Sequence, residues 1–212
     1  MGSKSLAAKG FFGISGATIR NEMRQLERDG YIFQPHTSAG RVPTEKGYAF
    51  YVANYIFDGQ KKKSKSKLNG AAKTRLDEII LRVDGEEELK ELAKILAELS
   101  SALVILAFDS NRFYYTGLSY LYDQPEFATQ AAVTTVSQAL DHCDEIIPSV
   151  FQLINQEKKF LIGQENPFGA QCSFAAAPLN KGLVGMLGPL RMDYDLVFNL
   201  IDYVWQKFYA YE

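Results

Sequence analysis

The side chains with the clearest chemistry in this sequence are Arg20, Asn21, Arg24, Gln25 and Arg28, gathered in the stretch ISGATIRNEMRQLERDG. Arg can bond a guanine edge bidentately, and Asn or Gln an adenine edge, so the set matches what a DNA major groove displays. Spacing decides whether they can act together. Ile19, Met23 and Leu26 recur at i, i+4 and i+7, an apolar stripe on a helix. At about 100° per residue, Ala17, Asn21, Arg24 and Arg28 point away from that stripe, with Arg20 and Gln25 on its flanks. Ser15 is placed to cap the helix start and Gly30 to end it in a left-handed conformation. Thr18 sits within reach of a base or a phosphate. Taken alone, this is an ordinary amphipathic helix with a solvated face.

The residues that follow change that reading. Tyr31 to Gln34 reads as a short strand ended by Pro35, and His36 to Arg41 is turn-rich before Val42 and Pro43. Helix, glycine stop and basic hairpin, in that order, are the plan of a winged helix-turn-helix. The wing tip carries His36, Thr37 and Ser38 as hydrogen-bonding residues and Gly40 for close backbone approach. Arg41 is expected in a narrow, strongly negative minor groove. The expected DNA-binding set is therefore Ser15, Ala17, Thr18, Arg20, Asn21, Arg24, Gln25, Arg28, His36, Thr37, Ser38 and Arg41. Thr44 to Tyr48 leads into an apolar run through Tyr51, Val52 and Tyr55, read as a closing helix.

Charge supports two parts with different partners. The 212 residues carry a net charge of −2, but residues 1–75 hold 14 Lys and Arg against 5 Asp and Glu, and the remainder 9 against 20. The first part suits a polyanion and the second does not. We divide the chain into a DNA-binding domain at 1–58, a basic linker at 59–72 with Lys61, Lys62, Lys63, Lys65 and Lys67, and a dimerisation or regulatory domain at 73–212. The linker lysines read as a solvated tether that can add non-specific phosphate attraction. No uncharged apolar run has the length of a membrane span and the N-terminus has no apolar secretion core, so the expected location is cytoplasmic. Cys143 and Cys172, without a CxxC, are expected to be reduced core residues and not a zinc site or disulfide.

The second part alternates element types, as an α+β domain does. Leu76, Ile79, Ile80 and Val83, then Leu89 to Leu99, give two helical stripes. Leu103 to Phe108 and Arg112 to Tyr122 read as a hairpin joined at Asp109-Ser110-Asn111. Helices are expected over Ala131 to Leu140 and from Asp144 to about Asn155, the latter strained by Pro148. Strands are expected at Lys159 to Ile162, Ser173 to Ala177 and Leu183 to Leu187, before a last helix capped by Asp193. Reaction chemistry is sparse. Asp193, Asp195 and Asp202 share one helix, Glu86, Glu87 and Glu88 open another, and His142 beside Cys143 lacks a third member for a nucleophile system. Gly182, Gly185 and Gly188 are expected to serve turns or a bulge, and Phe113, Tyr114, Tyr115, Tyr120 and Tyr122 read as core, pocket wall or subunit interface. We expect no enzymatic activity, no cofactor and no metal.

The string SGATIRNEMRQLERDGYIFQPHTSAGRVPTEKGY resembles the DNA-binding domain of the heat-inducible transcription repressor family HrcA, and GSKSLA at Gly2 to Ala7 is similar to the short helix preceding it there. GLSYLYDQPEF at Gly117 to Phe127 and IGQENPFGAQCSFAAAPLNKGLVGMLGPLRMDY at Ile162 to Tyr194 agree in the family's order, whereas Asp58 to Glu98 matches loosely. The resemblance implies a GAF-like second domain and a homodimeric repressor. It also implies an inverted-repeat operator in double-stranded DNA upstream of chaperone genes, and an active fold maintained by the chaperonin. Family members usually carry a further helix ahead of the GSKSLA segment, and a long insertion where only Asp109, Ser110 and Asn111 stand here. The chain is thus expected to be a compact or N-terminally truncated member. Met1 replaces the Val common before GSK, as a misassigned GUG start would produce. Two rival functions stay open: a ligand-sensing regulator, and an interaction protein that has lost DNA binding.

Overall fold

Ser15 begins the first helical segment of consequence: its Oγ accepts the Thr18 N–H at 3.1 Å, satisfying one of the donors a helix start leaves unpaired. The computed structural model describes residues 2–8, 13–37, 39–57, 68–180 and 182–208. The chain divides into two units, residues 1–58 and 59–212.

In the first unit, α1 (Ser3–Ala8) and α2 (Gly16–Arg28) precede a two-stranded antiparallel ladder of β1 (Ile32–Phe33) and β2 (Val42–Pro43). Ile32 stands opposite Pro43 and Phe33 opposite Val42, so the strand expected over Tyr31 to Gln34 is confined to its two middle residues. Gly30, at φ 77°, ends α2 by letting Tyr31 N–H return to Leu26 O at 2.9 Å. Ile19 and Met23 are buried, but Leu26 stays 42% exposed, which shortens the expected stripe by its last member. α3 (Glu45–Tyr51) runs on as a π-helical turn at Val52–Phe57. Thr44 joins these pieces: its Oγ1 accepts Gly47 N–H at 3.1 Å and donates to Gly30 O at 2.7 Å. A Cβ on Gly47 would lie 2.2 Å from Tyr31 O, so only glycine permits this close crossing of helix and strand.

The second unit is α+β. It contains α4 (Gly70–Ile80), α5 (Glu86–Ser100), β3 (Leu103–Ala107), β4 (Phe113–Thr116), α6 (Leu118–Tyr122), α7 (Gln130–Asp141), α8 (Cys143–Ile154), β5 (Lys159–Ile162), β6 (Cys172–Pro178), β7 (Leu183–Pro189) and α9 (Tyr194–Phe208). The five strands are antiparallel throughout, in the order β4-β3-β7-β6-β5. Val104, Leu106, Ala175, Ala177, Val184 and Met186 face a core with residues of α4, α5 and α9, such as Leu76, Leu96 and Leu200. Their strand neighbours Leu103, Ile105, Phe174, Ala176 and Leu187 face a second core with Leu121, Val136, Leu140 and Ile147. Burial on both faces is why β3 and β7 read as apolar runs, and β6 as one interrupted only by the buried Ser173, and not as alternating ones.

Several expectations are corrected here. The long second strand of the hairpin stops at Thr116, because Gly117 turns the chain at φ 93° and Leu118–Tyr122 is helical. Tyr120 and Tyr122 therefore leave the sheet. α4 starts inside the segment assigned to the linker, at Gly70, with Asn69 Oδ1 accepting Ala72 N–H at 2.7 Å. Gly185 serves neither a turn nor a bulge: it sits in register between Ile105 and Ala176, where a Cβ would come 2.0 Å from the Phe174 ring. Pro148 lies within α8.

Polar side chains fasten the edges of this unit. Asp109 Oδ1 accepts the Asn111 and Arg112 N–H groups, each at 2.9 Å, which closes the β3–β4 turn and holds its carboxyl below the usual range. Tyr203 donates to Asp77 at 2.7 Å and Lys207 stands 3.0 Å from the same carboxylate, tying α9 to α4. Asp193 Oδ1 caps α9 through Leu196 N–H at 3.0 Å. Cys143 and Cys172 are free and buried, and burial raises their thiols to about 11 and about 12 respectively. Among the described residues no helix is long and apolar enough to cross a membrane, and no group of acidic, His or Cys residues could hold a metal.

The packing can be tested at two points. Gly185→Ala forces the Phe174 ring aside and should destabilise the protein by roughly 1–3 kcal/mol in urea titrations; adding Phe174→Leu should recover much of the loss. The buried thiols keep their protons in the folded state at pH values where an unfolded thiol, near 8.5, has lost its own. Their contribution is complete below about pH 8 and should drain away as pH rises toward 11 and 12, at roughly 1 kcal/mol per pH unit per thiol. Unfolding curves of the native protein and Cys172→Ala, compared between pH 8 and 11, should show a shallower decline in the variant.

Candidate functional site

The sequence nominates α2 and the hairpin after it. Ala17, Thr18, Arg20, Asn21, Arg24, Gln25 and Arg28 are all exposed, opposite the buried Ile19 and Met23. Arg20, Asn21, Arg24 and Arg28 have no intramolecular partner among the described residues, so their donors are available to an incoming acceptor. Gln25 is committed: its Nε2 donates to both carboxylate oxygens of Asp29 at 3.0 Å. Ser15 and Thr18 share a hydroxyl hydrogen bond of 3.0 Å, which leaves Ser15 a capping residue before anything else.

His36 and Thr37 are exposed in the loop between β1 and β2; Ser38 lies outside the described residues. Ala39 N–H donates to His36 O at 2.8 Å, closing a turn. Gln34, to which the sequence assigns no role, donates from Nε2 to Thr37 O at 2.9 Å and to Ala39 O at 2.8 Å. One amide thus braces the loop from inside.

Arg41 is paired within its unit. Its Nε and Nη2 donate to a single oxygen of Glu27 at 3.2 and 3.0 Å, so the guanidinium lies against α2. Lys46 is drawn in as well, donating to Asp29 O at 2.7 Å with its ammonium 4.4 Å from the centre of the Tyr31 ring. Glu27, Gln34 and Lys46 are the positioning residues that sequence reasoning missed. The partners of Glu27 and Lys46 lie 14 and 17 residues away, beyond any helix or turn spacing; those of Gln34 lie three and five residues on, but they are backbone carbonyls, which carry no residue signature.

The second unit holds a cleft of about 460 Å³ with Leu89, Phe108, Leu179 and Phe208 in its wall beside Glu86 and Arg112. Arg112 is paired with both Glu86 and Asp109, each at 2.6 Å. Among the described residues of that wall, the cleft therefore offers an anionic metabolite no uncommitted cation.

A family model described as the HrcA protein C terminal domain matches residues 55–198. The Heat-inducible transcription repressor HrcA of Caldanaerobacter subterraneus subsp. tengcongensis is 46% identical over 100 residues, covering 47% of this chain and 27% of that protein. The protein of the same name from Parafrankia sp. is 38% identical over 115 residues, 52% of this chain and 31% of that one. The chain thus spans about a third or less of the length of these relatives. The crystal structure of a hypothetical protein at 2.2 Å resolution shares the fold, with a TM-score of 0.73 over 96% of this chain and 89% of that chain at 17% identity.

The cap at Ser15 generates a direct prediction. Ser15→Ala leaves Thr18 N–H without its acceptor and should cost about 1 kcal/mol of α2 stability, read as faster hydrogen exchange at the helix start. Ser15→Asp should restore protection.

Proposed function

Because this chain belongs to the HrcA family, we propose that it is a sequence-specific DNA-binding transcriptional repressor. Its first unit would act as a winged helix-turn-helix with α2 as the recognition helix. The second, GAF-like unit would pair two copies on an inverted-repeat operator. Its relatives are named heat-inducible transcription repressors, which supports placing the proposed repression in a heat response. One observation carries the reading: Arg20, Asn21, Arg24 and Arg28 stand exposed on α2 with no intramolecular partner among the described residues, beside a hairpin braced by Gln34. An exposed face that mixes guanidinium and amide donors is what base edges require. A merely solvated helix has no need of a braced neighbour.

Pairing is part of the proposal because one winged module covers too little surface for strong selectivity. Two recognition helices spaced by one or more helical turns, roughly 34 to 36 Å each, make affinity depend on half-site spacing.

The test is selection of duplexes from a random pool by the full chain. Enrichment of an inverted repeat, together with sedimentation as a dimer, is the expected result; a monomer with no enriched sequence would overturn the proposal. On the selected duplex, Asn21→Ala and Arg24→Ala should each cost roughly 1–3 kcal/mol of discrimination against random DNA. Replacing Lys61, Lys62, Lys63, Lys65 and Lys67 with Ala should weaken all duplexes alike and flatten the salt dependence, by about 0.9 in log–log slope for each phosphate no longer neutralised. An Asn21→Ala protein with unchanged preference would remove α2 from the role of reader.

A further inference from the structure

We propose that Arg41 is a positioning residue of this interface and not a DNA contact: paired with Glu27, it straps the β1–β2 hairpin to α2 and neutralises a carboxylate on the helix that must approach a polyanion. The inference rests on the DNA-binding reading of α2 and assigns a division of labour within it.

The geometry carries the argument. Arg41 immediately precedes β2, and Glu27 lies in the last turn of α2, so their bond joins the two elements at one point. Two of the guanidinium nitrogens, Nε and Nη2, converge on one Glu27 oxygen. The two side chains are only 25% and 32% exposed, so solvent screens the pair less than it would a pair at the surface. The loop beyond is closed on itself by Gln34 and by the turn from His36 to Ala39. A loop stiffened internally and pinned at its base moves as one piece, and the pin sets its angle to the helix.

Electrostatics points the same way. Were Arg41 to leave for a minor groove, Glu27 would remain uncompensated on a helix pressed toward phosphates, and repulsion there would offset the gain in the groove. The cations that α2 leaves without intramolecular partners among the described residues are Arg20, Arg24 and Arg28. Those are the ones left for the duplex.

A double-mutant cycle decides the matter, with the full chain and the duplex that the native protein selects from a random pool. Arg41→Ala should weaken binding about tenfold, the coupling expected of residues in direct contact. In a Glu27→Ala background the same change should alter binding less than about twofold, and the salt slope of the double variant should equal that of the native protein. If instead Arg41→Ala costs as much without Glu27 as with it, and the slope falls by about 0.9, Arg41 touches phosphate and the proposal is overturned. Should the native protein bind no duplex, the DNA-binding reading falls separately, and hydrogen exchange still tests the strap. Equal loss of protection at Ile32, Phe33, Val42 and Thr44 in both single variants, with no more in the double, supports it. Protection unchanged from the native protein overturns it.

Discussion

Everything in the second unit depends on keeping water from both faces of β3, β7 and β6. An antiparallel sheet usually leaves one face wet and its strands alternate in polarity; here all five residues of β3 and all seven of β6 and of β7 are buried. Helices must therefore lie on both sides, α4, α5 and α9 on one and α6 to α8 on the other. The constraint also sets residue size. Where two helical layers press on one sheet, a large ring such as Phe174 fits only because its cross-strand neighbourhood holds Gly185, and the Ala-rich run of β6 keeps the layers close. The same dryness explains the chemistry of the two cysteines. Cys143 and Cys172 sit in the second core without partners for a thiolate, so both are held as neutral thiols.

Periodicity makes most of these elements legible. The stripes of α5 and α9, the strands at 159–162 and in the two long central runs, and the caps at Ser15 and Asp193 all follow from local rules that act within four residues. Where the structure departs from the pattern, a distant contact or one backbone dihedral has overridden it. Arg112 to Tyr122 looks like a continuous aromatic strand, yet Gly117 lies against Ala102 O, where a Cβ would come within 2.6 Å, and the chain turns into a helix there. Gly185 reads as a turn or bulge residue because spacing alone cannot reveal a ring packed across the strand. Leu26 fits the helical period and is still exposed, since a period reports which side a residue faces and not whether anything covers that side.

The candidate interface shows the same limit in its polar groups. The outward residues of α2 are legible as an exposed face, because helix geometry alone settles direction. The bond from Gln25 to Asp29 spans the i, i+4 spacing that helix geometry brings together, whereas nothing in the sequence reveals that Arg41 is bound to Glu27 fourteen residues back. A basic residue in a turn-rich hairpin carries the same letter whether it reaches outward or folds inward. The distinction lies in the partner, which tertiary contact and not sequence spacing supplies.

These pairings alter what the charge asymmetry means. Residues 1–58 hold 7 Lys and Arg against 5 Asp and Glu, so most of the excess counted over the first 75 residues comes from the five linker lysines with Lys73 and Arg75. Within the first unit Arg41 is committed to Glu27, and Lys46 is turned toward Asp29 O and the Tyr31 ring. Long-range attraction to a polyanion would therefore come chiefly from the linker, where it is sequence-blind and falls steeply with salt. The small set of unpaired side chains on α2 contributes little to total charge but can be matched to particular base edges. On the proposed function, affinity and selectivity would reside in different segments of one chain, each adjustable by substitution without the other.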